Sequence, residues 1–364
     1  MSEYSVVNEF LNAELGDKRR TDRLLQLVER FSENPQASLP QLLGDEAQLE
    51  AAYRLLSNPA VDAADVLHPH IMRSAARAAT NEVSLVLHDT TDIRFDCYGD
   101  VLRKNLSRPT AHTQGFRLHS ALAVSADGTR FPLGVLAARA FVHKTDVKDE
   151  NALQWWAERD GIMENEQERW LQGILAAEEN APTTLHIVEV LERNPPKEET
   201  PLRWILATTE PISTPDQVLE IVDYYCSRWV IEEFHKAVKS GCSYEKRQLA
   251  SAHALLNTLS MTIPVAVHML MLRDLTHTNS TAPAEALFSK EELLVLRALS
   301  SEKALPSKPQ MRHALDVIAQ VGGHIKANGP PGWLVLYRGY VELIHAKKGF
   351  IAAFKMMNMP LPEL

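Results

Sequence analysis

At residue 83 the hydrophobic pattern of this chain changes period, and that change limits what the chain can fold into. From residue 5 to 70 apolar side chains recur at helical spacing. Leu24, Leu25, Leu27 and Val28 lie in one segment and Leu49, Tyr53, Leu55 and Leu56 in the next, before Ser57-Asn58-Pro59 interrupts them. VSLVLHDTTD then supplies a short aliphatic run, too brief for a helix, and predicts a buried strand ending at Asp89. Two more apolar runs, at 118–124 and 131–142, are joined by Ser125-Ala126-Asp127-Gly128, and Asp-Gly between strand-like runs predicts an antiparallel hairpin. Past Leu255 the helical period returns and holds to the carboxyl end. There Gly322-Gly323 closes one helix and GPPGW turns into the amphipathic stretch from Trp333. Sheet in the middle and helices at both ends make an α+β chain.

The helix that carries most chemistry reads YCSRWVIEEFHKAVK. Tyr225, Arg228, Glu232 and Lys239 are three, four and seven residues apart, so at about 100° per residue they fall within an arc of roughly 60°. Val230, Ile231, Phe234 and Val238 fall on the opposite side and predict a buried stripe. An acid between two cations and a phenol is either a solvated charged face or a phosphate-handling one. Arginine donates two parallel hydrogen bonds to phosphate, and a carboxylate suits a hard cation such as Mg²⁺. Asp89, taken alone, is either a strand-end cap or an acid held by a rigid support. Asp17 follows a glycine and can cap a helix whose first turns carry Lys18, Arg19, Arg20 and Arg23. Basic residues there oppose the helix dipole unless an anion sits at that end, which leaves a solvated basic turn and a DNA contact both open.

Tyrosine, two residues, arginine, three residues, glutamate, six residues and lysine resemble the YREK signature of the insertion-sequence-four family of bacterial DDE transposases, and RWVIEEFHKAVKSG is similar to its surroundings. The resemblance extends to LGDKRR, AAYRLLSNPAV, the D-T-T at Asp89, and VGGHI with GW near the end. It implies a ribonuclease-H-like mixed-sheet core flanked by helical domains. Residues 1–75 would bind transposon ends, 76–265 would form the catalytic core and 266–364 would dimerise around paired ends. By the same resemblance Asp89 and Glu232 are catalytic metal ligands for two Mg²⁺ ions. Tyr225, Arg228 and Lys239 hold DNA, with Lys18, Arg19, Arg20 and Arg23 in the amino-terminal domain. Trp204 is either a base-stacking residue or a strand aromatic in the core. The partners are then double-stranded DNA at transposon ends, target DNA and a second copy of the chain.

One part of the family pattern is lacking. A fourth strand should deliver a second aspartate, but 151–180 is polar, acidic and helix-like, and the chain passes directly to TTLHIVEVL and PLRWILATTEP. An internal deletion between about 172 and 184 is the simplest account, leaving Glu189, Asp146 and Asp149 as weak substitutes. Two functions follow. One is cut-and-paste transposition by metal-dependent cleavage and strand transfer. The other is an inactive derivative that occupies ends or mixes with full-length subunits as an inhibitor.

A net charge of −9 argues at first against a nucleic-acid partner, since phosphate contacts dominate such affinities. The acidity is local, because 141–223 holds eighteen Asp and Glu against seven Lys and Arg and the remainder sums to +2. Outside it lie three basic groups: the one at 18–23; Arg103, Lys104, Arg108 and Arg117; and Lys236, Lys239, Lys246 and Arg247, enough for a basic groove. Cys97, Cys226 and Cys242 lack zinc spacing and read as reduced structural thiols. MSEYSVVNEF lacks the regions of a secretory signal, and no run approaches a membrane span. The expected location is the bacterial cytoplasm, in association with the nucleoid.

Overall fold

The computed structural model describes residues 6–96, 103, 106–110, 113–141, 185–195, 200–278, 281–300, 305–325, 327, 329–360 and 362. A 3-10 turn, Val6–Phe10, leads into α1 (Lys18–Glu33), α2 (Leu39–Leu43), α3 (Glu46–Leu56) and α4 (Ala63–Ala78). Three of these helices start by one device: Asp17, Asp45 and Asp62 precede α1, α3 and α4, and each carboxylate accepts the amide two residues on. The expected cap at Asp17 is thus present, entered through Gly16 at φ 71°.

The main sheet holds β1 (Ser84–Asp96), β2 (Ser107–Thr110), β3 (Thr113–Ser125) and β4 (Pro132–Phe141), all antiparallel. β3 is central, with β1 along one edge and both β2 and β4 on the other. The expected hairpin is the β3–β4 turn, where Asp127 accepts the Thr129 amide and Gly128 takes φ 78°. β1 corrects the sequence reading, because it does not end at Asp89 but pairs with β3 without a break to Asp96. The polar Thr90-Thr91-Asp92 concealed an alternation that resumes with Ile93 and Phe95, both buried.

β5 (His186–Leu191) and β6 (Arg203–Thr208) form a second antiparallel pair, covered by α5 (Pro215–Ser227) through Val188, Leu206 and Ile221. Among the described residues this pair does not join the main sheet, and β1 pairs only with β3. The chain continues through α6 (Trp229–Lys236), α7 (Ala252–Thr278), α8 (Lys290–Leu299), α9 (Met311–Val321) and α10 (Trp333–Met356). Residues 151–180, expected to be helical, lie outside the described residues.

The single helix expected over Tyr225–Lys239 is in fact three pieces. At Arg228 the steps tighten, with the Arg228 amide bonded to Tyr225 O and the Ile231 amide to Arg228 O. At Ala237–Gly241 they widen into a π turn closed by the Cys242 amide on Ala237 O. The apolar stripe survives both changes, and Val230, Ile231, Phe234 and Val238 are buried.

One hydrophobic cluster runs from Phe10, Leu24 and Phe31 through Ile93, Phe116 and Leu122 to Phe234, Leu270, Leu315 and Leu336. α7 is its spine, meeting α3, α4, β4, α6 and α10. The boundaries expected at 75/76 and 265/266 fall inside α4 and α7. α7 also corrects the statement about membrane spans. Ala252–Leu275 has the length and hydropathy to cross a bilayer, and 94% of that apolar window is buried inside the protein. α10 crosses α9 at Gly339, where a Cβ would stand 1.8 Å from Ile318 O.

Candidate nucleic-acid interface

The first site is built on the start of α1. Asp17 caps the helix through the Arg19 amide at 2.9 Å and also takes the Arg19 side chain at 3.0 Å, and these bonds lower its pKa. Arg20 donates to Leu15 O at 3.0 Å and Ala60 O at 3.4 Å, which fixes its guanidinium between the entry to α1 and the turn after α3. The result is a cleft of about 350 Å³ lined by Asp17, Arg19, Arg20, Arg23, Arg54 and Asn58, together with the apolar Ala51 and Leu55. Lys18 is exposed on the same turn but does not line the cleft. Arg54, in the last turn of α3, is a residue that sequence reasoning missed. Nothing in the spacing of AAYRLL places it opposite α1. Four guanidinium groups meet two acids here, Asp17 held by Arg19 and Glu50 by Arg54, at 3.0 and 3.2 Å. A positive cleft at a helix amino terminus is suited to phosphate.

The second site lies where α6 packs on β1. His235 Nδ1 stands 3.6 Å from Asp89 Oδ2, and Glu232 is one turn earlier on the same helix. Asp89 and Glu232 therefore come from two elements in contact, with His235 between strand and helix. Burial first, then the charges of Lys239 and His119, push the His235 pKa down to about 4 against the opposite pull of Asp89. The ring is neutral at pH 7. His235 also escaped sequence reasoning, although its three-residue spacing from Glu232 was a usable signal.

Asp89 Oδ1 accepts the Thr90 amide at 2.8 Å, and Glu232 Oε1 takes Arg228 at 2.6 Å. Arg228 lies over the Tyr225 ring at 5.9 Å, and Trp204 meets Tyr225 edge-on at 5.0 Å. Trp204 is half-buried and packs against the small β5–β6 cluster, as a strand aromatic does. Glu189 points to the outer face of that pair, bonded to Arg203 at 2.7 Å, while Asp146 and Asp149 lie outside the described residues. Among the described residues no group of three or more His, Cys, Asp or Glu side chains gathers where a metal could be held. With the Glu232 carboxylate also engaged by Arg228, the described residues do not make up the two-Mg²⁺ site that the resemblance implies.

Other expected basic residues have structural tasks. Arg247 is buried and donates to Pro35 O and Ala37 O at 2.5 Å and to Cys242 O at 3.0 Å, tying the α1–α2 connection to the core. It is not part of a surface groove, because the guanidinium is buried and its two terminal nitrogens donate to three carbonyls inside the protein. Arg103 donates to Leu249 O and Arg117 pairs with Asp92.

An arginine-lined cleft in a helical amino-terminal region, separate from an acid-bearing strand and helix, defines a protein equipped to hold polyanions. Residues 4–61 match the transposase DNA-binding family, a span that contains every residue lining the cleft. The match supports a transposase with DNA as its partner.

Proposed function

We propose that this protein binds the ends of a bacterial insertion sequence through the cleft between α1 and α3, as an internally shortened transposase of the DDE, YREK-bearing kind. The observation that carries the proposal is the convergence of Arg19, Arg20, Arg23 and Arg54 on one cleft within the residues that match a transposase DNA-binding family. An acid on β1 of an antiparallel β1-β3-β4 sheet, met by a helix bearing a second acid, supports descent from a ribonuclease-H-like nuclease core. The Arg228–Glu232 ion pair favours end occupancy over catalysis, and with it the inhibitory reading in which the chain dimerises with full-length subunits.

The experiment is a gel-shift selection from a random duplex pool, followed by incubation of the recovered duplex with Mg²⁺ or Mn²⁺. Recovery of one sequence class, with no nicking, is the expected result. Failure to enrich any sequence refutes end binding. Nicking abolished by Asp89→Asn would instead establish cut-and-paste chemistry.

A further inference from the structure

β1 alternates its side chains without a break in the ladder, so His88 and Thr90 project from the face opposite Asp89. On that face Thr90 pairs in register with His119 and His88 with Ala121, which makes His88 and His119 diagonal neighbours on two strands of a continuous ladder. His88 Nδ1 and His119 Nε2 are 3.3 Å apart, and the rings stack at 5.5 Å between centroids and 25° between planes.

We propose that His88 Nδ1 and His119 Nε2 form a site for one divalent transition-metal ion of the Zn²⁺, Ni²⁺ or Cu²⁺ class, with solvent completing its coordination. Two imidazole nitrogens bound at about 2.0–2.1 Å to a tetrahedral ion stand about 3.3–3.4 Å apart, the separation found here. It is also slightly longer than the roughly 2.7–3.2 Å usual for an N–H···O hydrogen bond.

His119 is also oriented as a ligand should be. Its Nδ1 meets Thr90 Oγ1 at 2.9 Å, and a hydroxyl accepting Nδ1–H leaves the Nε2 lone pair facing His88. His88 is exposed, so an ion can reach it. Asp92, on the same face, is taken by Arg94 and Arg117. The ligands on offer are thus imidazoles, which suit Zn²⁺, Ni²⁺ and Cu²⁺ and not Mg²⁺.

Isothermal titration of the full chain with ZnCl₂, NiCl₂ and CuCl₂ tests the proposal. The expected result is saturable binding of one ion per chain, tighter for Cu²⁺ than for Ni²⁺ or Zn²⁺ and not competed by excess Mg²⁺. His88→Ala and His119→Ala each remove it, Thr90→Val weakens it by roughly 10–100-fold, and His345→Ala, at an exposed histidine on α10, leaves it unchanged. Circular dichroism establishes that the variants are folded, and His88→Ala suffices alone because His88 is at the surface. Binding that persists at full strength in His88→Ala, or no saturable binding to the unaltered chain, overturns the proposal.

Discussion

Arg54 shows how a residue's function depends on the element that faces it. Arg19, Arg20 and Arg23 share two helical turns, so their clustering could be read from the sequence, but Arg54 joins them only because α3 ends beside the start of α1. If each guanidinium contacts one phosphate, Arg23→Ala and Arg54→Ala will each weaken duplex binding. Each will also reduce the slope of log affinity against log salt by about 0.9, measured by fluorescence anisotropy across a salt series. A slope equal to that of the unaltered chain would place the DNA elsewhere. The inverse lesson comes from Arg247, whose charge looked like surface and is spent on three buried carbonyls. A second residue-scale prediction concerns acid. The Val135 amide donates to His70 Nε2 at 3.1 Å, which leaves Nδ1–H to donate to Glu9 at 2.6 Å, so the buried ring is neutral and its pKa is lowered by burial. Burial would raise the Glu9 pKa, but His70 and Arg77 outweigh it and hold the carboxyl at about 2, against an ordinary 4.5. Both folded-state values lie below the unfolded ones. Stability is therefore complete above pH 6.5, begins to fall below it as His70 would protonate, and falls further from pH 4.5 toward 2 as Glu9 does. Urea midpoints measured across this range should drop less steeply between pH 4.5 and 2 in Glu9→Gln, and parallel curves would disprove the coupling.

At the scale of elements, α6 matters because its apolar face sets the position of its polar one. Phe234 and Ile231 are fully buried beneath the helix, while Glu232 and Arg228 remain partly open at its edge. Phe234→Ala should cost about 3–5 kcal/mol in denaturant unfolding. Removing the exposed i, i+4 pair with Glu232→Gln should cost roughly 0.3–0.5 kcal/mol. Equal losses in the two variants would mean that the polar face, not the apolar one, anchors the helix. The apolar stripe and the β3–β4 hairpin were legible in the sequence because hydrophobic period and turn chemistry encode them directly. The breaks at Arg228 and Ala237 were not, since a tightened or widened hydrogen-bond step changes the backbone without changing which side chains are apolar. The length of β1 was hidden for a related reason. Its middle, Asp89 to Asp92, is polar on both faces, and only the ladder to β3 shows that the strand continues. The free edge of that strand is capped at one point, where the Arg94 amide donates to the Glu245 carboxylate at 2.9 Å and no further strand pairs among the described residues.

For the molecule as a whole the governing quantity is charge set against shape. The arginine cleft occupies residues 17–58, whereas residues 142–184 carry ten Asp and Glu against four Lys and Arg, a sum of −6 within a total of −9. A polyanion approaching the cleft meets the field of the entire chain, not of the cleft alone, and at about 0.15 M salt that field is screened over about 8 Å. The acidic stretch should therefore slow association and weaken non-specific binding at low salt, while sequence-specific contacts in the cleft are left nearly unaffected. Replacing 142–184 with a Gly/Ser linker brings the net charge to −3. If the variant remains folded by circular dichroism, its association rate with a random duplex should rise at low ionic strength and converge on that of the unaltered chain as salt is added. Stopped-flow anisotropy over a salt series measures both limits. A rate difference that persists at high salt would mean that the segment obstructs the DNA sterically, and no difference at low salt would mean that the cleft does not sense these acids.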